Sequence, residues 1–94
     1  MTAAVNLRIR IEKPSSTKLQ SLSVKSWPIW EKEPSNFPWH YDEMETCYLL
    51  EGKVRVKTDF ESIEFGAGDL VIFPAGLSCT WEIIEPVRKH YRFG

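Results

Sequence analysis

Apolar and polar residues alternate along most of this chain with a period of two. The alternation runs through residues 5–12, from Val5 to Ile11, and returns in residues 54–57 and 79–83. Successive side chains of a β-strand point to opposite faces of the sheet. Each of these stretches therefore predicts a strand that buries one face.

The same alternation sorts the side chains of the later strands into two sets. One set is predicted to face the interior: Glu45, Cys47, Leu49, Val54, Val56, Cys79, Trp81 and Ile83. The other set is predicted to point away from it: Thr46, Tyr48, Arg55, Lys57, Thr80 and Glu82.

Glycine and proline separate the predicted strands. Three prolines within residues 28–38 exclude a helix there and favour short edge strands. Residues 15–22, with Ser15 or Ser16 as the N-cap, predict one short helix. Many short strands with such turns predict an all-β sandwich or closed barrel. The lack of crossover helices excludes a parallel α/β fold.

The length of 94 residues predicts a single domain, residues 1–94. A net charge of −1 gives no reason to expect nucleic acid or a membrane as a partner. The N-terminus has no apolar core of a secretory signal, so we expect a cytoplasmic protein. In that reducing compartment Cys47 and Cys79 are expected to be free thiols, with a disulfide as the minor alternative.

Residues 37–82 resemble the two motifs of the cupin superfamily. Glu45 and Gly52 have the spacing of the first motif, and Gly68, Pro74 and Gly76 reproduce the frame of the second. The wider pattern is similar to small single-domain cupins related to ureidoglycine aminohydrolase and to an ethanolamine-utilisation cupin. The resemblance implies an RmlC-like double-stranded β-helix, or jelly-roll barrel, with at most one short N-terminal helix and a ligand cavity at one mouth.

Metal-binding cupins use two histidines and a glutamate from the first motif and a histidine from the second. These positions hold Pro38, His40, Glu45 and Cys79 in this chain. The resemblance thus leaves His40, Glu45 and Cys79 as ligands for a divalent metal, with zinc favoured because it accepts both thiolate and imidazole. Because Pro38 removes one ligand, we expect the metal to be bound weakly or not at all.

Glu45 and His40 are the candidate catalytic residues. A carboxyl group in an apolar barrel has a raised pKa unless it is paired, which suits acid–base catalysis. The structural alternative is a Glu45 carboxylate that accepts a hydrogen bond from the backbone or from Tyr41. The side chains expected to line the ligand cavity with these two are Cys79, Trp81, Cys47 and Tyr41.

Three classes of function remain open. The resemblance suggests an enzyme that hydrolyses, deaminates or isomerises a small polar metabolite. The alternatives are a non-catalytic ligand-binding cupin and a structural or assembly barrel that has lost its metal site. Small cupins of this kind often pair, so we expect a homodimer. His90 stands among basic residues and is expected to be solvated or to lie on an edge strand.

Overall fold

The computed structural model describes residues 7–94, so Val5 and Asn6 of the first predicted strand lie outside the described residues. One α-helix, α1 (Ser16–Ser21), forms where a helix is predicted, and Ser15 caps it by accepting a hydrogen bond from the Lys18 N–H. A 3-10 turn follows at Val24–Ser26. The strands are β1 (Arg10–Glu12), β2 (Ile29–Lys32), β3 (Ser35–His40), β4 (Glu45–Lys57), β5 (Ser62–Gly66), β6 (Leu70–Phe73) and β7 (Ser78–Phe93).

Two long strands, β4 and β7, organise the sheet and pair with each other along residues 45–57 of β4. The first half of β4 also pairs with β6, and its second half pairs with β5. On its other side β7 pairs first with β3 and then with β2. Two antiparallel halves result, β1-β6-β4-β7-β2 and β5-β4-β7-β3, which share their central strands. This arrangement confirms the predicted jelly roll.

The register between β4 and β7 changes around Gly52, which forms a β-bulge. Gly52 has a φ of 107°, and a Cβ atom there would lie 2.5 Å from the carbonyl oxygen of Pro86. Only glycine fits this position. Pro86 has no N–H to donate, and a bulge is one of the few places where a strand tolerates proline.

The turn of the second motif is attached to Tyr41 by two backbone hydrogen bonds. The Gly76 N–H donates to the Tyr41 carbonyl at 2.7 Å, and the Tyr41 N–H donates to the Leu77 carbonyl at 2.9 Å. Gly76 adopts the left-handed conformation, with a φ of 89°, that this turn requires. The turn therefore fixes where β7 begins, and with it the direction of Cys79.

Every residue of the predicted inward set is buried. The outward set needs one correction, because Thr46 is also buried. Trp27 lies on the outer face of β7, where its carbonyl is 2.9 Å from Nδ1 of His90 and its ring is 4.8 Å from the Arg92 guanidinium. Thr46 pairs with Arg92 in the sheet, so it lies beside the part of this face that Trp27 covers.

The expectation for His90 is also corrected: Trp27 lies over it, and His90 is buried rather than solvated. Every helix within residues 7–94 is too short or too polar to span a lipid bilayer.

Candidate functional site

The barrel contains a cavity of about 330 Å³ with mainly aromatic walls. Trp39 and Phe93 are 48% and 47% exposed, so they form its rim. Side chains of β2, β3, β4 and β7 and of the segment after β3 line the cavity: Trp30, Phe37, Trp39, Tyr41, Glu45, Trp81, Lys89, Tyr91 and Phe93.

Trp81 is the centre of the aromatic wall. Its ring stacks on Phe37 at a centroid distance of 6.1 Å and an angle of 16°, and it meets Trp30 edge-on, also at 6.1 Å. Its indole N–H donates to the Tyr41 hydroxyl at 3.1 Å. Burial, reinforced by the nearby Glu45 carboxylate, raises the pKa of Tyr41 above its ordinary value. The hydroxyl therefore stays protonated, and this aromatic wall carries no charge.

A buried ion pair is the polar part of the cavity. Lys89 Nζ lies 2.7 Å from Oε2 of Glu45, and the two side chains are only 6% and 4% exposed. The ammonium group also lies 4.7 Å from the ring centre of Trp81 and 5.0 Å from that of Trp30. Both positions are within the range of cation–π attraction, so one carboxylate and two indoles surround the Lys89 ammonium.

One oxygen of Glu45 is open to the cavity. Within residues 7–94, the Lys89 ammonium is the side chain's hydrogen-bond donor, and it binds Oε2. Every fully buried side-chain oxygen of the described residues has a hydrogen-bond partner, so Oε1 is accessible, and Glu45 is one of the residues that line the cavity. Glu45 therefore presents an acceptor to any molecule that enters.

The two cysteines lie behind the cavity wall rather than in it. Both are buried free thiols, and neither belongs to the residues that line the cavity. Burial, with the negative charge of Glu45 as a smaller cause, raises the pKa of Cys79 to about 11. Burial also raises the pKa of Cys47 to about 12. Neutral thiols are poor nucleophiles and poor metal ligands.

His40 lies outside the cavity, contrary to the prediction. Residues that pair across antiparallel strands share a face. Trp39 pairs with Cys79 and faces inward with it, so His40, which pairs with Ser78, faces outward. Its Nδ1 lies 2.7 Å from the Ser78 hydroxyl, and its Nε2 lies 3.7 Å from the fully exposed carboxylate of Asp42.

The predicted zinc ligands are consequently not brought together. Residues 7–94 contain no group of three or more His, Cys, Asp and Glu side chains placed to hold a metal ion. The ligand that remains, Glu45, already binds the Lys89 ammonium, and a cation beside it would repel a metal ion. The residues of the cavity therefore do not fit a metal site.

Sequence reasoning missed Lys89, the cation of the site. Its signal was present, because the alternation that turns Cys79 and Trp81 inward continues through Lys89 to Phe93. Pro86 interrupts that stretch and suggests a strand end. The direction of His40 also had a signal: the aromatic residues Phe37, Trp39 and Tyr41 occupy alternate positions, and all three line the cavity.

The model of the EutQ-like cupin domain family matches residues 19–91. The crystal structure of a DUF861 family protein from Thermotoga maritima is 56% identical, covers 93% of this chain and 100% of that chain, and superposes with a TM-score of 0.91. No curated protein matches the chain.

More distant solved structures share the fold. A putative ethanolamine utilization protein Q from Salmonella typhimurium is 28% identical over 69% of this chain, with a TM-score of 0.64. This chain covers 53% of it, about half its length. The Clostridium difficile EutQ protein, at 20% identity over 69% of this chain and 52% of that one, has the same TM-score of 0.64 and supports the fold alone.

Proposed function

The chain belongs to the family of EutQ-like cupin domains, and we propose that it binds a small organic molecule in its aromatic cavity, without a metal ion. The ligand contacts the ring faces of the wall and the Glu45–Lys89 pair. Cavities of a few hundred Å³ with apolar walls and a few convergent polar groups are typical ligand sites.

The buried Glu45–Lys89 pair is the observation that carries this proposal. Transfer of two charges out of water costs several kcal/mol per ion, and apolar residues of similar volume are often at least as stabilising as a buried pair. Stabilisation of the fold is therefore a weak explanation for the presence of this pair. Its place against a cavity, with one carboxylate oxygen open to it, favours recognition of a ligand.

A metal ion is not needed for this function and is poorly supported by the donors present. Lys89 supplies the positive charge that a metal would supply, at 2.7 Å from the retained carboxylate. The raised pKa values of Cys47 and Cys79 keep both thiols protonated at neutral pH. Added zinc should therefore neither stabilise the protein nor change ligand binding.

An enzyme is the second candidate, and the open oxygen of Glu45 favours it. A carboxylate within reach of a bound molecule can accept a proton from it, and the neighbouring ammonium of Lys89 can stabilise the negative charge that develops. Isomerisation, hydrolysis or deamination of a small polar metabolite would fit these two groups. His40 has no part in this scheme because it faces away from the cavity.

The test is a screen of small one-ring and two-ring aromatic compounds by ligand-observed NMR. Compounds that bind should lose about tenfold in affinity in Trp39→Ala, which removes a rim contact, since Trp is enriched among the contact residues whose truncation costs more than about 1 kcal/mol. Phe60→Ala is the matched control, because Phe60 is 61% exposed and does not line the cavity.

Binding should be the same with a chelator as with added zinc. If no compound binds, if Trp39→Ala binds as well as the wild type, or if binding requires zinc, the proposal is wrong. Incubation of each binder with the protein, followed by mass spectrometry, separates the enzyme from the binding protein, since only the enzyme converts it.

The homodimer stays a prediction. Light scattering across a concentration series measures the assembly directly, and a particle of about twice the chain mass of 10.9 kDa is the expected result.

A further inference from the structure

We infer that the ligand of the cavity is a flat, neutral ring compound that carries an N–H donor next to a carbonyl oxygen, as a lactam does. This inference rests on the proposed function and specifies its ligand class. The ligand's N–H would donate to Glu45 Oε1, and its carbonyl would accept from the Lys89 ammonium.

The donor and acceptor of the protein are neighbours. Lys89 Nζ lies 2.7 Å from Glu45 Oε2, so Oε1 of the same carboxylate is close to the same ammonium. An ammonium group has three N–H donors, and the bond to Glu45 uses one of them. A molecule with an acceptor and a donor on adjacent atoms can bind both groups at once. A lactam edge has this arrangement.

Charge decides against ionic ligands. The Glu45–Lys89 pair has no net charge, and the other lining residues are aromatic. An anion or a cation that entered would bring one uncompensated charge into an apolar space, which is costly. A cation would also meet ring faces of Trp30 and Trp81 that Lys89 already occupies. A neutral ligand avoids both costs.

Shape favours a flat ring. The half-buried rings of Phe37 and Trp30 both line the cavity and form a corner, with centres 6.4 Å apart and planes 64° apart. Trp30 stands at 75° to Trp81 and closes one side. Aromatic rings gain most from offset-stacked and edge-to-face contacts, and this corner offers both to a planar molecule.

The test compares quinolin-2-one with N-methylquinolin-2-one in NMR titrations of the wild-type protein. The methyl group removes the N–H and leaves the ring and the carbonyl, so the N-methyl compound should bind at least about tenfold more weakly, the effect of one hydrogen bond to a charged group. Naphthalene-1-carboxylate and 1-naphthylmethylamine, an anion and a cation of similar size, should also bind at least tenfold more weakly.

A double variant identifies the protein groups. In Glu45→Leu/Lys89→Met the charges are replaced by apolar side chains, and the ratio of the two quinolinone affinities should fall to about one. The matched control is Glu64→Leu/Lys53→Met, which removes an exposed ion pair of 3.9 Å and should keep the ratio.

Equal binding of both quinolinones to the wild type, tighter binding of either ionic compound, or no binding of quinolin-2-one overturns the lactam assignment. The proposed function survives these results if other aromatic compounds bind and Trp39→Ala weakens them. It fails separately, when no aromatic compound binds in the cavity at all.

Discussion

The strands β4 and β7 carry two different runs of inward side chains. The packed run, Val54, Val56, Ile83 and Val87, is aliphatic and at most 3% exposed. The cavity run, Glu45, Lys89, Tyr91 and Phe93, lies on the same two strands and combines two charges with two aromatic rings.

The contrast shows what each run contributes to the protein. Burial of the packed run removes apolar surface from water at about 25 cal/mol per Å² and so stabilises the fold. The cavity run keeps two ionised groups out of water and leaves space unfilled, and both features oppose stability. The packed run stabilises the barrel, and the cavity run lowers that stability but forms the proposed ligand site.

The largest expected effect comes from breaking the ion pair of the cavity run. Lys89→Met leaves the Glu45 carboxylate buried without its partner and should lower the free energy of unfolding by about 3–5 kcal/mol. Urea denaturation measures the change. The double variant Glu45→Leu/Lys89→Met should return to within about 1 kcal/mol of the wild type. A small loss in Lys89→Met would mean that water reaches the pair.

A cavity cut into the tightly packed interior should cost nearly as much. Leu49 is fully buried, and Leu49→Ala should lower the free energy of unfolding by about 2–5 kcal/mol through lost burial and the void it leaves. Trp39→Ala, at the half-exposed rim, should change it by less than about 1 kcal/mol while weakening ligand binding. Equal losses in the two variants would erase the distinction between packed interior and cavity.

Alkaline pH should weaken the fold through the two thiols behind the cavity. Their pKa values rise from 9.0 to about 12 for Cys47 and about 11 for Cys79. Above pH 9 the unfolded chain loses these protons while the folded protein keeps them, so the stability that is full below pH 9 falls as pH rises towards 11–12.

The expected loss is of the order of 1 kcal/mol per thiol at pH 10. Cys47→Ala/Cys79→Ala should show a flatter dependence between pH 8 and pH 10 in urea titrations. An unchanged slope would show that other groups cause the alkaline loss.

The smallest effect is expected from Cys79→Ala at neutral pH. Cys79 is buried and packed behind the wall, so the free energy of unfolding should fall by only about 1 kcal/mol. Affinity for cavity binders should change less than twofold, because the thiol does not line the cavity. A loss of binding with the fold intact would give Cys79 a direct role at the site.

Alternation predicted Val54, Val56 and Ile83 of the packed run because these residues obey one rule: apolar side chains face inward in a regular strand. It also turned Glu45, Cys47, Cys79 and Trp81 inward, and all four are buried. Alternation failed where the register between paired strands decides the direction of a side chain. His40 faces outward because β3 aligns Trp39 with Cys79, and this register is a long-range property that motif spacing does not contain.

Lys89 was missed for a different reason. A charged residue among other charged residues is usually solvated, and the partners that make its burial tolerable are distant in sequence. Glu45 is 44 residues away, and Trp30 belongs to another strand. Only the folded barrel brings the carboxylate and the two indoles around the ammonium.

The bulge at Gly52 changes which residues of β4 face the interior. Odd-numbered residues of β4 face inward before it and even-numbered residues after it, whereas the inward residues of β7 are odd-numbered both at Cys79–Ile83 and at Val87–Lys89. If β4 kept all its residues and continued without this bulge, odd-numbered residues would stay inward, and the strand would offer Arg55 and Lys57 to the interior in place of Val54 and Val56. The bulge at Gly52 thus allows residues of both the packed run and the cavity run to face inward on β4.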